Sequence, residues 1–138
     1  MATTASALTI LVRVTGLFQI VLGSIFWSGN ALGLIPVHML TGLVLIAGLW
    51  TLAVMAIVSG AQRPLGIVAL VWGALVLWLG MAQNQLLLGS THWVIQVLHL
   101  LLGIGAIGQA ERLGRSLHGA WGSCCNHAAT PPLQSVAP

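Results

Sequence analysis

Three histidines carry the chemical interest of this chain: His38, His92 and His99. The segment "STHWVIQVLHLLLGIG", residues 90 to 105, places two of them seven residues apart in an otherwise apolar run. On a helix, His92, Gln96, His99 and Gly103 follow i, i+4, i+7, i+11 and form one stripe. A stripe that is polar and small points to a helix bundle's interior rather than to lipid. Imidazole nitrogens ligate iron, copper and zinc, and ionisable groups inside a membrane are expensive enough to be functional candidates by default. His38 and His92 also suit a plainer place at helix starts, bonded to headgroups or water. His99 lies roughly 10 Å deeper than His92 at about 1.5 Å per residue.

The elements that position these residues follow from composition. Only five of 138 residues are charged: Arg13, Arg63, Glu111, Arg112 and Arg115. Apolar residues make up 58% and the mean hydropathy is +1.03. A water-soluble domain carries about a quarter charged residues, so this chain is expected in a membrane. Uncharged intervals of 49 and 47 residues separate Arg13, Arg63 and Glu111. Since a spanning helix needs about 20 residues, each interval holds two helices and a turn. The turns are "SGNALGLIP" (28–36) and "AQNQLLLGST" (82–91), and "SGAQRP" (59–64) joins the halves. Pro36 suits a helix start, and Ser90 or Thr91 can cap the next helix.

The expected fold is all-α: an integral membrane four-helix up-down-up-down bundle over residues 1–115, with spans near 8–27, 37–58, 65–82 and 92–110. A flexible, Gly-, Ala- and Pro-rich tail follows from 116 to 138. Arg13 lies near the start of its span, where its side chain can snorkel to the headgroups. The first span lacks the basic flank and cleavage site of a signal peptide and reads as retained. All four arginines fall on one side of such a bundle. The positive-inside rule then makes both termini cytoplasmic in the plasma membrane. Four arginines do not make a nucleic-acid groove, so no nucleic-acid partner is expected.

The halves look alike. "RVTGLFQIVLG" (13–23) and "RPLGIVALVWG" (63–73) share R-x-x-G-x6-G, and Asn30 and Asn84 each precede a histidine by eight residues. "HMLTG" (38–42) also resembles "HLLLG" (99–103). A pair of duplicated helical hairpins would explain this. Gly16 and Gly23, and Gly66, Gly73 and Gly80, recur every seven residues on one helix face. Close helix packing accounts for such stripes without further function.

Depth adds a sharper reading. Folding each hairpin about the middle of its turn sets His38 near Gly23, His92 near Gly80 and His99 near Gly73. Histidines on spans 2 and 4 then face glycines on spans 1 and 3. A flat macrocycle between diagonal helices takes one imidazole on each face of its iron, and glycine leaves room for its edge.

This arrangement over residues 13 to 108 resembles the haem-binding four-helix bundle of membrane b-type cytochromes. The resemblance implies haem b, an electron-transfer role, and a quinol, an oxygen species or a redox partner protein as exchange partner. It departs from two-haem bundles, because span 2 holds only His38 and the span 4 pair is spaced too closely. One bis-histidine haem is therefore implied, with His38 as one ligand and His92 or His99 as the other. Depth favours His92; the H-x3-G likeness favours His99; the lean is to His92. Gly23, Gly73 and Gly80 would line the slot. In length and texture the chain also resembles small four-helix bacterial membrane proteins, a likeness that names no activity.

The alternative is a non-redox membrane protein, either a transporter or a scaffold subunit. The lipid bilayer is a partner on both readings, and a second copy of the chain is a further candidate. No carboxylate lies within a span, and no P-loop, dinucleotide fingerprint or nucleophile elbow is present. A bare copper or zinc site on the three histidines is disfavoured, since His92 and His99 are two turns apart. Cys124, Cys125, His118 and His127 match no standard zinc spacing and read as incidental tail residues. Trp27, Trp78 and Trp93 suit an aromatic belt at the outer boundary, while Trp50 and Trp72 lie deeper, against a cofactor or a neighbouring helix. Nothing in the sequence identifies a substrate or decides whether the chain is an enzyme.

Overall fold

The computed structural model describes residues 2–86 and 89–129, with the side chains of Ala2, Asn84 and residues 121–129 outside that description. Four α-helices follow one another: α1 (Ala2–Trp27), α2 (Ile35–Ser59), α3 (Arg63–Ala82) and α4 (His92–Ala129). All four are long and apolar enough to cross a bilayer, and no strand occurs among the described residues. The protein is an integral membrane protein by this measure.

Local chemistry sets most helix ends. Pro36 and Pro64 stand in the first turns of α2 and α3, where a missing N–H costs nothing. Gly60 ends α2 at a φ of 75°, with its N–H on the Ile57 carbonyl. That left-handed residue is costly for any side chain but glycine's hydrogen. Short 3-10 turns at Leu32–Leu34 and Gln83–Gln85 lie in the two connections read as turns.

Two helices outrun the expected spans. α1 begins at Ala2 rather than near residue 8, and α4 continues to Ala129 rather than ending near 110. The expected flexible tail is thus helical from 116 to 129. The physical reason is mutual burial. Ala5 on α1 and Leu113 and Leu117 on α4 are fully buried, so these ends cover each other. No proline interrupts α4 before residue 131.

The core is built on stripes of helical period. On α2 it runs through Leu45, Leu49, Leu52 and Ala56, and on α4 through Leu102, Ala106, Ala110, Leu113 and Leu117. No polar side chain among the described residues is buried in it. The helices α2 and α4 pack directly on each other, and α1 and α3 each pack on both of them. Large apolar side chains such as Leu17, Leu40, Val71 and Leu101 cover the outer faces, as lipid contact requires.

Candidate functional site

His99 packs inside the bundle on α3, and His92 stands at the start of α4. His38 lies in the first turn of α2 and His99 two turns into α4. Each ring has a buried Nδ1 without a hydrogen-bond partner. A buried polar atom left unpaired costs about 1–3 kcal/mol. Gln19 Oε1 and Gln109 Oε1 are the other buried polar side-chain atoms without a partner among the described residues.

The His99 ring packs on Gly80 of α3, where a methyl group would sit 3.0 Å from its Cε1. Depth counting expects His92 there and sets His99 against Gly73. The structure corrects both by one seven-residue repeat. Halving the turn assumes that α3 and α4 begin and end level. Instead, His99 is level with Gly80, so the first turn of α4 stands beyond the last turn of α3. His92 sits at that protruding end, with its Nδ1 3.3 Å from the Leu86 carbonyl.

Three residues that the sequence reading passed over surround His38. The Phe26 ring meets its imidazole edge-on, with centroids 5.4 Å apart. Gln19 on α1 donates from Nε2 to the His38 carbonyl at 2.6 Å and to Thr41 Oγ1 at 3.1 Å. The other amide atom of Gln19, Oε1, is buried without a partner. Gln19 gave a signal in the sequence, as the lone amide in an apolar span, and helix-to-helix side-chain bonds of this kind tie bundles together in lipid.

The glycines divide into two groups. Gly73 receives the Trp50 indole and Gly105 the Trp72 indole. Trp50 Nε1 donates to the Leu70 carbonyl at 3.1 Å, and Trp72 Nε1 to the Leu102 carbonyl at 2.9 Å. In each case the carbonyl belongs to the residue three before the glycine. Gly73 is thus a packing residue away from the histidines. Gly23 and Gly103, by contrast, face open space. Trp27, Trp78 and Trp93 are exposed.

A second polar seam runs between α1 and α4. Arg13 Nη2 pairs with Glu111 Oε1 at 2.8 Å, Thr9 meets Gly114, and Ser6 Oγ bonds His118 Nε2 at 3.0 Å. The side chains of Cys124, Cys125 and His127 lie outside the described residues. Among those described, no three His, Cys, Asp or Glu side chains gather to hold a metal ion. No protein-family model matches the chain, and neither the curated proteins nor the solved structures contain a match.

Proposed function

We propose that this chain is a haem b protein of the plasma membrane with an electron-transfer role, and that His38 and His99 are its axial pair. The observation that carries this reading is a pair of imidazoles on α2 and α4, each with a buried Nδ1 that has no hydrogen-bond partner. Gly80 gives the His99 ring its room. The donor set fits the group, since two neutral imidazoles are a known axial set for haem iron. Bound haem b supplies one-electron redox chemistry. The chain holds the two imidazoles, fixes the His38 backbone through Gln19, steadies its ring with Phe26 and keeps water out with an apolar core. A quinol or a redox partner protein would exchange the electron.

The same reading includes an up-down-up-down bundle with both termini cytoplasmic. Residue numbers rise on α1 as they fall on its neighbours. Val12 meets Gly48 and Gln19 meets Gly42 on α2, while Arg13 meets Glu111 and Gly16 meets Ile107 on α4. The arginines then share one end, in keeping with the positive-inside rule. The glycines at matching places in the hairpins, Gly16 and Gly66, each meet an isoleucine of the other hairpin, Ile107 and Ile57, which are themselves at matching places. That exchange supports the reading of two duplicated hairpins.

Absorption spectroscopy of detergent-purified protein, produced with ample haem, tests the cofactor. A Soret band with low-spin character is expected, because two imidazoles on one iron give a strong field. Absence of that band would leave the scaffold or transporter reading, which the indole-filled Gly73 and Gly105 favour as helix-packing sites.

A further inference from the structure

Where the start of α3 meets the later part of α4, Gln62, Leu65, Arg112, Arg115 and Ser116 line a cleft. Its electrostatics are one-sided. Glu111 is the only acidic side chain in the sequence. It already pairs with Arg13 at 2.8 Å and lies 4.0 Å from Arg115. Arg112 has no ion-pair partner among the described residues, and no other Asp or Glu exists to supply one. The cleft also adjoins the start of α3, whose N-cap Gln62 makes no side-chain capping bond. That helix end carries partial positive charge of its own. An unpaired Arg112, an Arg115 that shares Glu111 with Arg13, and a positive helix end thus border one cleft.

The cleft lies at bilayer-edge depth, since the apolar stretch of α3 begins at Arg63. Leu65 adds an apolar wall on the side that enters the membrane. We infer that this cleft binds the phosphate of an acidic phospholipid headgroup, with Arg112 and Arg115 as the cationic contacts and Gln62 and Ser116 as polar neighbours. Guanidinium forks match phosphate oxygens in pairs, and basic clefts between membrane helices are suited to anionic headgroups. The inference does not depend on the haem reading, because it uses neither histidine.

The test measures lipid retained by the full chain after release from nanodiscs holding phosphatidylglycerol and phosphatidylcholine in equal amounts. Native mass spectrometry reads the bound lipid. Wild type should retain phosphatidylglycerol preferentially. Arg112→Gln and Arg115→Gln should each weaken that preference about fivefold, the change expected for one arginine near a charged surface. Arg112→Lys, which keeps the charge, should restore part of it. Arg63→Gln removes the same charge from outside the cleft lining and should weaken the preference less than either cleft substitution does. Equal retention of both lipids, or an equal loss in Arg63→Gln, would overturn the site. Displacement of the lipid by millimolar inorganic phosphate would overturn the lipid assignment in favour of a free anion.

Discussion

The Trp50 indole occupies the space that a side chain at Gly73 would need, and its N–H reaches past that glycine to the Leu70 carbonyl. The same device recurs one helix on, with Trp72, Gly105 and the Leu102 carbonyl. Gln19 does similar work on the His38 carbonyl beside Gly42. Each helix therefore fixes its register on the next by donating one side-chain N–H across a glycine. Replacing Gly73 by Leu should cost about 1–3 kcal/mol through overpacking. Trp50→Phe keeps most of the ring but not the donor and should cost about 1 kcal/mol. Reversible unfolding in mixed micelles would measure both, and an unchanged midpoint for Gly73→Leu would contradict the contact.

Ligation by His38 and His99 makes a prediction that separates the three histidines. His38→Ala and His99→Ala should each give high-spin iron or lose haem. His92→Ala should keep a low-spin spectrum, because its ring is engaged with the Leu86 carbonyl at the outer connection. Loss of the Soret band in His92→Ala alone would move the site to the end of the bundle.

The pair of Arg13 and Glu111 joins α1 to α4 where both helices leave the most apolar region. The Arg13 side chain is 54% exposed. Solvent and headgroups screen it, so a double-mutant cycle with Arg13→Gln and Glu111→Gln should give a coupling of only about 0.5–1 kcal/mol. A coupling of several kcal/mol would mean that lipid shields the pair more than its exposure implies.

Burial of Leu117 against the start of α1 makes the α4 extension part of the fold. Leu117→Ala should lower stability by about 2–4 kcal/mol, the range for a large buried side chain cut back in a packed core. No change in the unfolding midpoint would show that the extension is not held.

Orientation is open to a reporter experiment. A reporter fused after Ala129 should report the cytoplasm, and one inserted at Asn30 should report the opposite side. The reverse result would turn the bundle over and move the arginine cleft to the outer leaflet.

The sequence by itself determined the class and number of helices and most of their ends. Uncharged gaps of 49 and 47 residues leave room for two spans each, while Pro36, Gly60 and Pro64 mark ends through their own backbone chemistry. It also singled out three histidines as candidates, because few polar groups occur in so apolar a chain. Which of the span 4 pair packs on Gly80 was beyond it. That depends on how far α4 begins beyond the end of α3, and the connection between them sets this without a periodic signal. A one-repeat offset of seven residues keeps the same helix face, so His92 and His99 were equivalent by face and differed only in height. The glycines posed a like problem. Gly23, Gly73 and Gly80 share one spacing in the sequence, yet one faces open space, one takes an indole and one takes an imidazole. A glycine specifies only that a side chain is absent; the neighbouring helix decides what fills the gap.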